Sequence, residues 1–440
     1  SPATAQTELS DHVLATYGAP PPVPNGELAP PLKAAVKTAF AESVAPIGSE
    51  TQIIWGPSQS DALETIATSG DPRLGWLIAD LKRFIWQQDI SQELSDAAAQ
   101  LLGTEWEEGD PWNQMIDHLI AWDIPAPPDY LNSKRIIYTT LLHGWERLFV
   151  PGDIDWRLVT WGGVPVDARP FGETDIPCPC IPAADNPEVS DAASATWLTD
   201  DAIVFGIEIN GEARTYPLQI MEVRELVNDT LGGRDIAIPY CSLCGAAQAY
   251  FTDNMPEGIA RPVLRTSGLL SRSNKVMFDL NTYSIFDTFR GIAVTGPLAD
   301  RGITLAQVTV ITTEWGTWKE EFPNTTVLVE ALALGRNFNF REGRDAGGPI
   351  FPVGDIDPRL RANEEVIGVP RTNGPPLAFP RGAALIALKG GNDVSLEGVR
   401  LRLEAGGLRA FDAAGTELVS HQAYWFAWSQ FYEDTALWRG

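Results

Sequence analysis

The stretch Tyr240-Cys241-Ser242-Leu243-Cys244-Gly245 carries two cysteines at a spacing that can support chemistry. Two thiols separated by two residues can bind one metal ion, form a redox-active disulfide, or lock a turn. The preceding residues 236–240 are mostly apolar and predict a buried strand that leads into the turn. The sequence therefore predicts a cysteine site here and leaves its chemistry open.

The two other cysteines, Cys178 and Cys180, lie upstream with one proline between them. If they joined Cys241 and Cys244, the four thiolates would make a closed tetrahedral site suited to zinc. If Met277 joined Cys241 and Cys244 instead, the soft sulfur donors would prefer Cu(I). The structural alternative is disulfide bonding, although a bridge within Cys-Pro-Cys is hard to close at that spacing. Zinc, copper and disulfide bonding all stay open.

A thiol redox enzyme is a further hypothesis, in which Cys241 attacks and Cys244 resolves the mixed disulfide. A nearby cation, Arg224 or Arg272, would be needed to lower the pKa of the attacking thiol. The alternation of strands and helices typical of thioredoxin is not found around the motif. Three side chains are predicted to surround the sulfurs: Arg224, Glu225 and Asp279.

The chain has 58 acidic and 32 basic residues among 440, a formal net charge of −26. This charge repels phosphate backbones, so nucleic acid is not expected as a partner. No glycine-rich phosphate-binding motif is found, and we expect no nucleotide cofactor. The four histidines leave little scope for histidine-based catalysis.

The chain contains no run of eighteen apolar residues, so no transmembrane segment is expected. Its first residue is Ser1, and a polar start of this kind is typical of a chain whose leader has been removed. The few, clustered cysteines do not form a disulfide-dense scaffold. We expect an extracytoplasmic protein of a bacterium, whether periplasmic, secreted or surface-attached.

The first half of the chain predicts a Pro-rich arm over residues 1–31 and a helical domain over residues 32–150. Asp71-Pro72 and Asp110-Pro111 each combine a helix N-cap with proline at the first helical position. Each pair opens an apolar segment with a tryptophan, at a spacing similar to that of HEAT or armadillo repeats. Such a domain suggests another protein as a partner.

After residue 150 the sequence changes to short β-branched and aromatic runs separated by turn residues. The clearest hairpin joins 203–209 to 213–218 through Asn210-Gly211, and a second joins 276–278 to 284–286. Segments beginning at Trp315 and Trp425 share two tryptophans and a threonine at equal spacing. We therefore predict an α+β fold in which the helical domain precedes a β-rich region with an internal duplication, residues 151–335 and 336–440.

The two predicted copies differ in their cysteines. Copy one carries an insertion with Cys241 and Cys244, whereas copy two is shorter and has no cysteine. If the thiols served only to hold the fold together, the second copy would need them as well. This difference favours a functional role, while fifteen tryptophans keep a structural, assembly or ligand-binding module open as an alternative.

Several motifs occur together in the second half of the chain. They are Gly206-Ile-Glu-Ile-Asn-Gly-Glu-Ala-Arg-Thr-Tyr-Pro-Leu218, Glu225-Leu-Val-Asn-Asp-Thr230, the Tyr240 to Gly245 turn, and Ser267-Gly-Leu-Leu270 with Asn274 and Met277. In this combination the chain resembles a bacterial family catalogued as domain of unknown function 3179, over about residues 181–438. The resemblance implies an exported or membrane-attached bacterial protein.

The chain departs from that family at two positions. Ser242 stands where the family usually has proline, and Val223-Arg224-Glu225 stands where it usually has Trp-His-Glu. Arginine stays cationic and cannot replace histidine as a metal ligand or proton carrier. Any chemistry that depends on this histidine is therefore not expected here.

Overall fold

The computed structural model describes residues 9–47, 50–329 and 347–440. The chain divides into two compact units. Unit 1 comprises residues 1–162, 270–272 and 351–355, and unit 2 comprises the rest. The predicted division at residues 335 and 336 lies outside the described residues.

Unit 1 is built from short helices, the longest of which has fifteen residues. A two-stranded antiparallel hairpin lies between the second and third helices. The helices are α1 Asp11–Tyr17, α2 Pro30–Val36, α3 Pro57–Ala67, α4 Gly75–Lys82, α5 Gln88–Leu102, α6 Pro111–Ala121 and α7 Tyr130–Leu141. The strands are β1 Val44–Ile47, β2 Glu50–Ile53 and β3 Val159–Trp161.

Helix α6 and the turn before α4 begin where the Asp-Pro pairs predict. The Asp110 carboxylate accepts a hydrogen bond from Trp112 N at 2.9 Å, and Asp71 accepts one from Arg73 N at 3.2 Å. Each aspartate satisfies a backbone N–H that has no partner within its own helix. Within the predicted Pro-rich arm, α1 is a regular helix capped by Ser10.

Unit 2 consists of small sheets connected by short helices and turns. Its helices are α8 Leu218–Arg224, α9 Gly296–Asp300, α10 Trp315–Glu321, α11 Arg381–Lys389 and α12 Trp425–Phe431. The first group of strands is β4 Ala184–Asp185, β5 Val189–Asp191, β6 Ile203–Ile209, β7 Glu212–Pro217, β8 Leu226–Leu231, β9 Arg234–Cys241, β10 Ala246–Ala247, β11 Ala249–Phe251, β12 Leu264–Ser271 and β13 Asn274–Asp279. The second is β14 Ile285–Asp287, β15 Ile292–Ala293, β16 Gln307–Val308, β17 Ile311–Glu314, β18 Thr326–Leu328, β19 Glu365–Val369, β20 Leu377–Pro380, β21 Ser395–Leu396, β22 Val399–Glu404, β23 Gly407–Phe411, β24 Glu417–Leu418, β25 His421–Tyr424 and β26 Ala436–Leu437.

Five small sheets have a propeller-like arrangement of five blades. Their strand orders are β16-β11-β9-β8-β4 with β10 on β9, β15-β14-β13-β12, β17-β6-β7-β18-β5, β25-β19-β20-β26 and β21-β22-β23-β24. Both predicted hairpins are present. In the first, Asn210 and Gly211 have φ of 53° and 81°, as a type I′ turn requires. In the second, Met277 lies opposite Phe286.

The predicted fold class, an α+β chain with an all-α, HEAT-like domain before a duplicated β-rich region, is wrong. The N-terminal region has short helices and no clear all-α domain, and the β-rich part is propeller-like. A helical period in the sequence identifies single helices but contains no information on how they stack. Strands β1 and β2 lie within the region that the sequence predicts to be helical. Because blades are similar sheets, local matches between blades resemble a duplication.

Two blades show this similarity in detail. In the sheet of β6 and β7, a Cβ on Gly206 would lie 2.3 Å from the Trp318 ring; in the sheet of β19 and β20, one on Gly368 would lie 2.1 Å from Trp428. Both indoles donate to a threonine hydroxyl seven residues later at 3.0 Å. These tryptophans are fully buried, so they are part of the core and not sugar-stacking platforms.

The imidazole of His421 gives the stability of unit 2 a dependence on pH. Burial lowers the pKa of His421 from 6.5 to about 4, so the unfolded chain binds more protons between these two values. His421 therefore stabilises the fold above pH 6.5, and this contribution is lost as the pH falls towards 4. In urea unfolding, we expect a loss on the order of 2 to 3 kcal/mol between pH 7 and 4.5 that His421→Asn no longer shows.

The control for this experiment is His143→Asn, because the His143 side chain is 74% exposed. That variant should keep the pH dependence of the wild-type chain. Identical slopes for His421→Asn and the wild type would contradict the assignment to His421.

Candidate functional site

Strand β9 brings the first cysteine into the core at its end. Ile236, Ile238 and Tyr240 are buried in one hydrophobic cluster, and Cys241 is the last residue of the strand. Ser242 to Cys244 then form one 3₁₀ turn, and the chain returns as β10, which pairs with the end of β9. The apolar run that predicted a buried strand therefore positions the motif as expected.

Gly245 closes the turn in a conformation that other residues rarely adopt. Its φ is +56°, in the left-handed region. A Cβ at this position would lie 2.9 Å from Cζ of Tyr424, a buried side chain on β25. Both the backbone conformation and the close ring require glycine here.

Both thiols face the hairpin turn between β12 and β13. The carbonyl oxygen of Ser273 lies 3.7 Å from Sγ of Cys241 and 3.5 Å from Sγ of Cys244. The side-chain Oδ1 of Asn274 lies 3.6 Å from Sγ of Cys244. Arg272 and Ser273 both have positive φ, and this turn geometry directs the Ser273 carbonyl towards the sulfurs. The thiols are placed to donate hydrogen bonds to these oxygens, and the two sulfurs and two oxygens form a buried group that we call the thiol site.

A buried ion pair lies beside the thiol site. Lys275 Nζ is 3.1 Å from Glu225 Oε2 and donates to the carbonyl oxygens of Glu225 and Tyr240. The other carboxylate oxygen, Oε1, accepts a hydrogen bond of 2.9 Å from the hydroxyl of Ser242. Ser242 therefore makes a polar contact that a proline at this position could not make.

The two thiols differ in acidity. Burial opposes ionisation of Cys241, but the Cys244 thiol, the Lys275 backbone N–H and the Lys275 ammonium together lower its pKa below the ordinary value. Burial and the sulfur of Cys241 raise the pKa of Cys244 well above the ordinary value. Cys241 is therefore the first of the pair to become a thiolate, and Cys244 keeps its proton and donates a hydrogen bond to that thiolate.

The other two cysteines form a disulfide with each other. Cys178 and Cys180 are bonded, whereas Cys241 and Cys244 are free and buried. Asp167 lies within 4.8 Å of both bonded sulfurs. Among the described residues, no such close cluster of three or more His, Cys, Asp or Glu side chains includes Cys241 or Cys244. The structure does not bring the four cysteines together into one site.

The remaining predicted site residues have separate roles. Arg224 does not face the thiols; it donates to the carbonyls of Thr174 and Pro182, in the segments that flank the disulfide. Met277 packs in an apolar cluster with Leu226 and Phe286. The carboxylate of Asp279 accepts hydrogen bonds from Val263 N and from the backbone and hydroxyl of Thr282.

The sequence predicts no role for Ser242, Ser273 or Lys275. Asn274 stands only among the motifs that resemble the family. A signal for the last three was present in the sequence. Two short apolar runs, 269–270 and 276–278, flank residues 271–275, which predicts a hairpin turn rich in polar groups. Nothing in the sequence indicates that this turn reaches the cysteines.

Comparison with known protein families gives a match over the second half of the chain. The model of a family described as "Protein of unknown function (DUF3179)" matches residues 178–414, which contain all four cysteines. No curated protein and no solved structure matches the chain. In the part of the chain that the structure describes, no helix has the length and apolar character needed to cross a bilayer.

Proposed function

The chain belongs to the DUF3179 family, to which no activity is assigned, and from the thiol site we propose that it is an extracytoplasmic metal-binding protein. Cys241 and Cys244 would be the primary ligands of one soft or borderline cation. The carbonyl oxygen of Ser273 and Oδ1 of Asn274 would complete the coordination. Neither of these oxygens belongs to the ligand sets predicted from the sequence.

The convergence of the four donors is the observation that carries this proposal. In a tetrahedral site with metal–sulfur bonds of about 2.3 Å and metal–oxygen bonds of about 2.1 Å, sulfur and oxygen are separated by about 3.6 Å. The three sulfur–oxygen distances are 3.5, 3.6 and 3.7 Å. Carbonyl oxygens repel thiolates unless a cation lies between them. The arrangement therefore fits two thiolates with a metal ion between the donors, as it fits neutral thiols that donate to the same oxygens, and it disfavours two thiolates without a cation.

The local charge favours zinc over copper. Lys275 and Glu225 neutralise each other, so the two thiolates would contribute two uncompensated negative charges to a buried space. A divalent zinc ion cancels both, whereas Cu(I) would leave one negative charge in an environment of low polarity. Cu(I) is the alternative, because soft thiolates select it and it does not need the oxygen ligands.

The redox states of the four cysteines support an oxidising compartment. Disulfides persist outside the cytoplasm, and Cys178 and Cys180 form one. In the same chain, Cys241 and Cys244 are reduced. A bound metal ion would protect two adjacent thiols from oxidation under these conditions.

A dithiol redox site is the second candidate function. The lowered pKa of Cys241 and the raised pKa of Cys244 match the pattern of an attacking and a resolving thiol. Against this reading, both sulfurs are buried, so a protein substrate would have no access to them.

A role in assembly for the helices of unit 1 stays a prediction.

Elemental analysis of the full chain, combined with counting of free thiols, tests the proposal. We expect about one zinc ion per wild-type chain and none in the Cys241→Ser/Cys244→Ser variant. Asn274→Ala should retain the ion but weaken its binding by about tenfold or more, because one ligand is lost. The matched control is Cys178→Ser/Cys180→Ser, which should keep the full metal content.

Two results would contradict the proposal. A wild-type chain with no metal and two titratable thiols after unfolding would favour the dithiol redox site. Loss of metal from the Cys178→Ser/Cys180→Ser control would show that the upstream cysteines take part in binding, contrary to the geometry.

A further inference from the structure

The disulfide between Cys178 and Cys180 is not needed to hold distant parts of the fold together. The bonded cysteines are two positions apart, so the ring encloses only Pro179. A disulfide stabilises a protein chiefly by restricting the unfolded chain, and this effect grows with the length of the closed loop. A ring around one residue lies at the lower end of that range, so its contribution to stability is small.

Buried arginines already fix the segment that carries the disulfide. The Arg169 guanidinium pairs with Asp167 and donates to the carbonyls of Thr174, Ile176 and Ala183. Arg224 donates to the carbonyl oxygens of Thr174 and Pro182. Hydrogen bonds therefore hold the chain on both sides of the cysteines, and the segment would keep its place without the disulfide.

The two bonded cysteines differ in how far each residue is exposed to solvent. Cys180 is 2% exposed, whereas Cys178 is half-buried between two exposed prolines. Phe171 and Ile176, in the same segment, are 46% and 52% exposed. A thiol from solution can therefore reach Cys178 and cannot reach Cys180 without a change of structure. Thiol exchange proceeds by attack of a thiolate on an accessible sulfur, and access helps to decide which sulfur is attacked.

We propose that the Cys178–Cys180 pair is a redox-active disulfide that exchanges with a dithiol partner through attack at Cys178. A thiolate of the partner forms a bond to Sγ of Cys178 while the bond to Cys180 breaks, and Cys180 leaves as a thiolate. The second partner thiol, after losing its proton, attacks the partner sulfur of the mixed disulfide and releases the Cys178 thiolate. The partner is oxidised by two electrons, this chain is reduced by two, and the two partner protons pass to the released thiolates.

The local charges suit the departure of Cys180 as a thiolate. The Asp167 carboxylate lies near both sulfurs, but its charge is compensated by the bidentate contact with Arg169. Arg224 adds a second guanidinium to the carbonyls on both sides of the disulfide. The contact with Arg169 therefore offsets the negative charge of Asp167, which would otherwise oppose a thiolate at Cys180. This activity is separate from metal binding at the thiol site and does not depend on it.

Reduction of the folded wild-type chain tests the exchange. The protein is treated with low concentrations of dithiothreitol, alkylated with N-ethylmaleimide without denaturant, and digested for mass mapping. We expect label on Cys178 in the folded chain, and none on Cys180, Cys241 or Cys244 until the chain is unfolded. If the disulfide is reduced only after unfolding, it has a structural role and the proposal is overturned.

Two single variants test the direction of attack. In Cys180→Ser the free thiol is Cys178, and it should react with an aromatic disulfide reagent at least tenfold faster than Cys180 does in Cys178→Ser. Equal or reversed rates would overturn attack at Cys178. The double variant Cys178→Ser/Cys180→Ser should melt within about 3 °C of the wild type, because the ring adds little stability. A much larger decrease would show that the bond is a structural cross-link.

Discussion

Replacing Asp185 with alanine is expected to lower the free energy of unfolding by about 3 to 5 kcal/mol, because it leaves the buried Arg265 guanidinium with only the more distant Asp167 carboxylate, 4.0 Å away. Arg265 donates two hydrogen bonds, of 2.8 and 2.6 Å, to the Asp185 carboxylate, and both side chains are fully buried. The same carboxylate accepts hydrogen bonds from the side chain of Asn228 and from Gly172 N. Urea unfolding measured by circular dichroism gives the change.

The matched control for Asp185 is an ion pair at the surface. Asp253 pairs with Arg234 at 2.8 Å, but their side chains are 24% and 35% exposed. Asp253→Ala should cost no more than about 1 kcal/mol, because solvent screens the pair. If both variants lose the same free energy of unfolding, burial does not strengthen the ion pair between Arg265 and Asp185.

The loss of Asp185 should also affect the segment that leads to the disulfide. Arg265 donates to the carbonyl oxygens of Arg169 and Pro170, which precede Cys178 in the chain. Without Asp185, the orientation of this guanidinium is no longer fixed. Limited proteolysis should therefore cut the segment between Pro170 and Cys178 faster in the variant than in the wild type.

Replacing Gly245 with alanine is expected to cost about 3 kcal/mol and to disturb the thiol site. Part of this loss comes from the left-handed backbone, with φ of +56°, which costs a residue with a Cβ about 1 to 2 kcal/mol. The rest comes from overpacking, since the new methyl group would lie 2.9 Å from the buried ring of Tyr424. Because Gly245 follows Cys244 directly, we also expect weaker metal binding.

Gly233 separates these two causes. Its φ is +73°, also left-handed, but no atom lies within 4 Å of a Cβ built at this position. Gly233→Ala should therefore show only the backbone cost of about 1 to 2 kcal/mol and should bind metal like the wild type. If both variants lose the same stability, Tyr424 does not restrict the turn after Cys244.

The sequence predicts local geometry well, both in the strand before Cys241 and in the turn at Asn210-Gly211. The apolar residues before Cys241 predict the buried strand that ends there, and Asn210-Gly211 predicts a type I′ turn with both residues at positive φ. These features depend on the conformational preferences of a few neighbouring residues. They are therefore encoded locally.

The sequence predicts the composition of the sites less well. It leaves open whether Cys178 and Cys180 join Cys241 and Cys244 in one metal site or form disulfides, whereas the structure pairs the first two with each other and keeps the last two free. Spacing along the chain indicates which thiols can meet, but not which of them do. Arg224 was expected beside the thiols and instead binds backbone carbonyls near the disulfide.

The sequence by itself determined the family of the chain, the strand and turn that carry Cys241 and Cys244, and the caps that start the helices at Pro72 and Pro111. Only the tertiary structure decided that the Ser273 carbonyl lies against both sulfurs. Capping, turn and strand preferences depend on residues close together in the chain. The meeting of the two hairpins depends on how the blades pack. Contacts between residues that are distant in the chain contribute to this packing, and no local sequence pattern predicts it.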